Sequence, residues 1–226
     1  FVRVFNHGFQ GPGGWYIENS LTTIGQKDPL SEYNSVLWNS GIEANKEIAR
    51  KQKRRLTYFS NIYVVEDKAN PQNEGKVFLF RFGKKIFDKI SSMSNPEFED
   101  ETEVDVFNLW DGANFKLKIR KVDGFSNYDK SEFMTSAPLS EDESEMERVF
   151  GEQHDLEEFI DQKSFKTYDE LKTRLDTVLG NIQTAAMTAP TSVENDEAPF
   201  DGGTPIPESS TSEDENLDYF KKLAEA

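Results

Sequence analysis

Apolar and polar positions that alternate at a period of two mark strands, whereas recurrence at three and four marks a helix face. Phe1-Val2-Arg3-Val4-Phe5 alternates in the first way and leads through Gly8 and Gly11-Pro12-Gly13-Gly14 into Trp15-Tyr16-Ile17, which predicts a glycine-heavy hairpin. Residues 19–41 read as a polar loop region whose large apolar residues, Leu21, Leu30, Tyr33, Val36, Leu37 and Trp38, suffice for a small satellite core. Lys46, Arg50 and Arg54 follow at helical spacing with Lys51 and Arg55 alongside, so a helix with a cationic stripe is predicted there. Tyr58–Val65 and Lys76–Phe82 are rich in β-branched and aromatic residues and read as paired strands joined by a turn at Asp67–Gly75. On the second of these strands Phe78, Phe80 and Phe82 share one face, and Val77, Leu79 and Arg81 the other. Lys84–Met93 reads as a helix with Ile86, Ile90 and Met93 inward, and Phe98–Asp105 as an acidic loop. Ala113–Val122 sets Phe115, Leu117 and Ile119 against Lys116, Lys118 and Arg120, which predicts a strand with a buried apolar face and an open cationic one.

Past residue 138 the pattern changes to acidic helices. Ser140 with Glu143 and Thr167 with Glu170 have capping-box spacing, and Leu171, Leu175, Val178, Leu179 and Ile182 form an apolar stripe. From Ala185 onward large apolar residues are too sparse to offset the entropy of ordering, so a disordered tail is expected; its last stretch, Glu213–Ala226, could become helical on a partner. The pattern predicts a mainly β protein with appended α-helices, an α+β class. Residues 1–138 would form the core, with a subdomain at about 19–56; acidic helices at 139–184 would dock on it, and 185–226 would be the tail.

Composition narrows the chemistry. Of 226 residues, 35% are hydrophobic, enough for one substantial core. There is no apolar run of about 18 residues and no signal-peptide pattern, which predicts a soluble intracellular protein. The chain opens on Phe1 in mid-strand rather than on Met, as a fragment would. The absence of cysteine excludes disulfides, thiolate metal sites and a cysteine nucleophile, leaving His7 and His154 as nitrogen ligands, so neither a metal nor another cofactor is expected. The net charge of -16 divides unevenly. Residues 1–130 carry 19 Lys+Arg and 18 Asp+Glu, whereas residues 131–226 carry 7 and 24. Within the first part Lys46–Arg55 holds six basic residues to one acidic, an asymmetry that suggests a nucleic-acid surface with an acidic tail.

Single strands offer unstacked bases and a phosphate line, so a sequence-tolerant binder needs interleaved rings and cations. Lys53-Arg54-Arg55 beside Tyr58-Phe59, Phe80-Arg81-Phe82, and Lys84-Lys85-Ile86-Phe87 supply three such groupings. Two other readings compete. Six carboxylates in Glu97–Asp105 could hold Mg²⁺ for a nuclease, although such a cluster is more often a solvated loop, and the basic elements could merely neutralise the acidic tail of an interaction scaffold. Phe82-Gly83-Lys84-Lys85 lacks P-loop spacing, and His7 before Gly8 reads as a turn or packing residue rather than a metal ligand.

Glu74-Gly75-Lys76-Val77-Phe78 through Arg81-Phe82-Gly83-Lys84-Lys85-Ile86, Gly112-Ala113-Asn114-Phe115 and Gly124-Phe125-Ser126-Asn127-Tyr128-Asp129 carry a resemblance to the gene-32-type single-stranded DNA-binding proteins of T-even-like bacteriophages. Asn6-His7-Gly8-Phe9 and Trp15-Tyr16-Ile17-Glu18 extend it over roughly residues 1–180. The resemblance implies an OB-fold core with a loop-rich subdomain that coats single-stranded DNA, without catalysis, during phage replication, recombination and repair. It also implies the cytoplasm of the infected host, replication proteins recruited by the tail, no membrane, and self-association along DNA through a basic arm that would lie upstream of Phe1. Arg54, Arg55, Tyr58, Phe80, Arg81, Phe87, Phe125 and Tyr128 stand where the family places its DNA groove. With Lys53, Phe59, Lys116, Lys118 and Arg120 they make up the predicted DNA-binding set. Lys27, Ile42 and Ala49 replace expected tyrosines, which implies fewer stacked bases. The family's zinc subdomain uses one histidine and three cysteines; His7 matches the histidine, but Ser20, Leu30 and Tyr33 stand at the thiolate places, so no zinc is expected.

Overall fold

A computed structural model describes residues 1–98 and 100–180. The described residues up to 114 and from 134 onward pack as one unit, and residues 115–133 as another. The architecture is mixed α and β.

In the larger unit, β1 (Val2–Gly11) and β2 (Gly14–Asn19) form the hairpin, with Gly8 in the ladder opposite Ile17, so the first strand continues well past Phe5. The first half of β1 also pairs with β3 (Arg55–Tyr63), which pairs with β4 (Val77–Phe82); all pairings are antiparallel, in the order β2-β1-β3-β4. Partners across a ladder share a face, and neighbours along a strand alternate. Arg3, Phe5, His7, Phe9, Tyr16, Leu56, Tyr58, Phe80 and Phe82 therefore lie on one face of the sheet, and Val4, Trp15, Ile17, Thr57, Phe59 and Arg81 on the other.

The first face is buried at its β1–β2 end. There Phe9 and Tyr16 pack with Leu21, with Leu30 of α1 (Pro29–Asn39), and with Leu171, Leu175 and Val178 of α5 (Tyr168–Val178). The expected loop at 19–41 is thus a 3-10 turn (Leu21–Ile24) followed by a helix, started by Asp28, whose carboxylate accepts from Ser31 N, and by Pro29 at the first position. The helical period was masked because α1 buries only its N-terminal Pro29 and Leu30, while Val36 and Trp38 are exposed at 71% and 48%. The helix α2 (Glu43–Lys51) stops at Gln52, so Arg54 and Arg55 lie outside the cationic stripe expected of it.

At the other end of the same face, α3 (Lys84–Ser94) buries Ile86 and Ile90, as their spacing predicts. The helix α4 (Glu143–Gly151) is capped by Asp142, which accepts from Ser144 N; Ser140 instead accepts from Asp142 N at 3.0 Å, so the expected box does not form there. In α5 the Thr167–Glu170 box does form. The glycine-heavy hairpin is explained by the end of α5. Gly13 N donates to Val178 O at 2.9 Å, and a Cβ on Gly13 would lie 2.0 Å from Thr177 O. Ile182 and the tail from 185 lie outside the described residues.

The smaller unit corrects the prediction of one amphipathic strand. It holds β5 (Phe115–Lys116), β6 (Arg120–Val122), β7 (Phe125–Asn127) and β8 (Glu132–Phe133), paired as β5 with β8 and β6 with β7. Between β5 and β6 the Ser131 hydroxyl accepts from Lys118 N and donates to Lys118 O, at 2.9 and 3.1 Å. A side chain takes the place of a ladder partner, the strand is interrupted, and Leu117 and Ile119 are exposed at 42% and 60%.

Candidate nucleic-acid interface

The aromatic residues of β3, β4 and α3 meet on the first face in a continuous series of rings. Phe80 stacks on Phe82 with centroids 5.6 Å apart, Phe82 on Tyr58 at 5.4 Å, and Tyr58 on Phe87 at 4.2 Å and 9°. Phe87 then meets Phe1 edge-on at 5.6 Å, and Phe1 meets Phe107 at 5.6 Å. The middle of the series is interior: Tyr58 and Phe82 are buried, and burial pushes the Tyr58 hydroxyl above its ordinary value. Its ends are open, with Phe80 and Phe87 half-buried and Phe1 and Phe107 exposed. Tyr58 is therefore the packed support on which Phe87 rests, with a ring on each side. Such stacks are rigid and leave the outer rings as platforms.

Cations border the same face. The Arg54 guanidinium lies 4.2 Å over the Phe5 ring, and exposed Arg3 stands opposite Tyr58 in the ladder. Exposed Lys53 directly precedes Arg54, whereas Arg55, opposite Asn6 in the ladder, falls on the other face. Of the predicted residues, the register turns Phe59 and Arg81 to the opposite face, where Phe59 stacks on Phe159 at 4.5 Å. Lys46 and Arg50 of α2 are matched by their own glutamates: Arg50 reaches Glu43 at 2.8 Å and also Glu47, and lies over Trp38. Phe1, Arg3, Phe5 and Phe107 were not among the predicted residues. The alternation ring, cation, ring in Phe1-Val2-Arg3-Val4-Phe5 was the available signal for three of them.

In the smaller unit Lys118 pairs with Glu132 at 2.6 Å, and Arg120 grips Asp129 through two bonds of 2.8 and 2.5 Å, holding that carboxyl down to about 2. Lys116 is exposed, and Phe125 and Tyr128 are half-buried. Exposed ion pairs contribute only about 0–1 kcal/mol, so phosphates could replace these carboxylates at small cost.

Between β1 and the α1–α2 hairpin lies a buried polar cluster. His7 and Asp28 are 2% and 1% exposed. The His7 Nδ1 lies 3.2 Å from Gln52 O, and its Nε2 is 3.3 Å from Asp28 Oδ1, off the hydrogen-bond line but within ion-pair distance. Burial alone would raise the Asp28 carboxyl, but the facing His7 ring, the Ser31 N–H and Ser20 together hold it at about 2. These residues do not fit zinc. Ser20 Oγ caps the 3-10 turn, Leu30 is wholly buried in the apolar core, and Tyr33 packs against that core. Among the described residues no group of three or more His, Cys, Asp or Glu side chains could hold a metal ion, and no helix is long and apolar enough to cross a membrane.

Comparison with known proteins matches residues 1–179 to the family model described as gp32 DNA binding protein like. The chain is 46% identical over 194 residues to a single-stranded DNA-binding protein of Enterobacteria phage T2, covering 83% of this chain and 62% of that protein. It is 45% identical over 187 residues to the single-stranded DNA-binding protein of Enterobacteria phage T4, covering 80% of this chain and 61% of that protein. The matches thus span about three fifths of the length of these relatives.

Proposed function

This chain belongs to the gp32 DNA binding protein like family, and from that membership we propose that it binds and coats single-stranded DNA without sequence preference and catalyses no reaction. The observation that carries the reading is the ring series on one sheet face, open at Phe80, Phe87, Phe1 and Phe107 and bordered by Arg3, Lys53 and Arg54. Bases would stack on the outer rings while the cations neutralise phosphates. The four-stranded sheet would be the core of an OB-fold, within residues 1–138. Lys116, Lys118, Arg120, Phe125 and Tyr128 would form a second contact, exchanging carboxylate partners for phosphates. Coating would serve phage replication, recombination and repair in the host cytoplasm, with self-association along DNA and the acidic segment from 185 engaging replication proteins.

The test is a fluorescence titration of oligo(dT) against duplex of equal length at two salt concentrations. Single strands are expected to bind more tightly. If the three bordering cations each neutralise one phosphate, log K falls with log salt at a slope near -2, from about -0.7 per contact. Equal affinity for duplex, or a salt-independent constant, would contradict the proposal, and Mg²⁺-dependent cleavage of the oligonucleotide would favour a nuclease.

A further inference from the structure

Desolvating two ionisable side chains costs several kcal/mol, and a well-packed apolar pair often serves stability better. The buried His7–Asp28 pair therefore calls for a reason beyond packing, and its partners supply one. Asp28 joins three elements: it caps α1 through Ser31 N at 2.9 Å, accepts from Leu21 N at 3.2 Å, and faces His7 on β1. Gln52 O can only accept, so His7 Nδ1 carries the proton toward it, and Asn34 Nδ2 donates to the same oxygen at 3.2 Å. Gln52 ends α2, and Lys53-Arg54-Arg55 follow it directly. On β1, two residues before His7, Phe5 carries the Arg54 guanidinium 4.2 Å above its ring, and Asn6 pairs with Arg55 in the ladder. The basic run is thus laid along β1 from a carbonyl that His7 holds.

We propose that His7 and Asp28 are positioning residues for DNA binding: a metal-free clasp that fixes the Gln52 carbonyl and so keeps Arg54 over Phe5 on the binding face. The inference rests on the single-strand-binding reading above. Asp28 orients the imidazole, the imidazole fixes the end of α2, and the end of α2 sets the path of the cations.

The experiment is oligo(dT) affinity at 0.1 M salt and its salt slope, each measured well below the melting temperature, for the wild type, His7→Leu, His7→Gln, Arg54→Ala and the His7→Leu/Arg54→Ala double variant. One lost phosphate contact, about 0.7 in slope, corresponds to about a fivefold loss at 0.1 M. His7→Leu is expected to lose that much and to show the shallower slope, as is Arg54→Ala, and the double variant is expected to bind no more weakly than Arg54→Ala alone. His7→Gln retains one donor for the carbonyl and is expected to keep affinity near the wild type; it also decides the matter if His7→Leu does not fold, because a fivefold loss in a folded His7→Gln protein would overturn the clasp. A lowered melting temperature with unchanged affinity and slope would mark the pair as structural only, and additive losses in the double variant would show that it acts elsewhere. Failure of the wild type to bind oligo(dT) would remove the function and the clasp together, whereas wild-type binding that His7→Leu leaves unaltered removes the clasp alone.

Discussion

Asp28 illustrates how much one side chain can do when it is buried with partners on every side. Its carboxyl is held at about 2 against an ordinary 3.8, so the folded state favours the ionised form. A depressed folded value means stability that is present above pH 4 and lost as pH falls toward 2, about 2 kcal/mol in all. Urea unfolding at pH 5 and at pH 2 is expected to show that loss in the wild type and a smaller one in Asp28→Asn; equal acid sensitivity would contradict the assignment. The same cluster predicts that dialysis against a chelator leaves the melting temperature unchanged, and one zinc per chain by elemental analysis, lost together with stability, would refute it. At this scale the absence of thiolates was legible, because Ser20, Leu30 and Tyr33 are plain in the sequence. The Asp28 partner for His7 was not, since 20 residues, with β2 and a 3-10 turn among them, lie between the two and no local pattern pairs them.

The β1–β2 hairpin and α5 show a dependence between elements that only their contact explains. Four glycine and proline residues in a row signal a turn, but the close approach of Thr177 O and Val178 O is what forbids side chains at Gly13 and Gly11. Gly13→Ala must push the helix end away and is expected to cost about 1–3 kcal/mol, as overpacking does. Gly8→Ala, where an added Cβ meets nothing within 4 Å, is expected to stay within about 0.5 kcal/mol. Thermal melts of the two variants check this, and equal losses would show that the hairpin glycines are not a docking surface. Strongly periodic elements were readable: β4, α3 and the capping box of α5 lie where the pattern puts them, while β3 starts three residues before its expected Tyr58. Two were hidden by tertiary effects. The apolar positions of α1 lie largely in solvent and blur its period, and the Ser131 hydroxyl interrupts a strand whose own letters alternate cleanly from Ala113 to Val122.

Across the whole molecule, charge and geometry divide the labour. Residues 1–130 are nearly neutral in sum, while residues 131–226 carry 7 basic residues against 24 acidic. We propose that the segment from 186, which holds many of those carboxylates, competes with DNA for the cations at an effective concentration that can reach about millimolar. Deleting residues 186–226 is expected to tighten oligo(dT) binding at low salt, with the gain fading as the Debye length shrinks below about 10 Å above 0.1 M; unchanged affinity at low salt would limit the segment to partner contacts. That rings and cations lie close together was legible in short runs such as Phe80-Arg81-Phe82. Alternation already set Arg81 opposite Phe80 and Phe82, but which β3 residues join each face was not legible, because register alone places Tyr58 beside Phe82 and Phe59 beside Arg81. The central claim is that single strands bind the first of those faces, and oligo(dT) affinity per folded molecule in two variants tests it most directly. Phe80→Ala/Phe87→Ala is expected to weaken binding by about 1–3 kcal/mol for each base unstacked, while Phe59→Ala, which removes a ring from the opposite face, leaves affinity unchanged. Loss of affinity in Phe59→Ala with full binding in Phe80→Ala/Phe87→Ala would contradict the account.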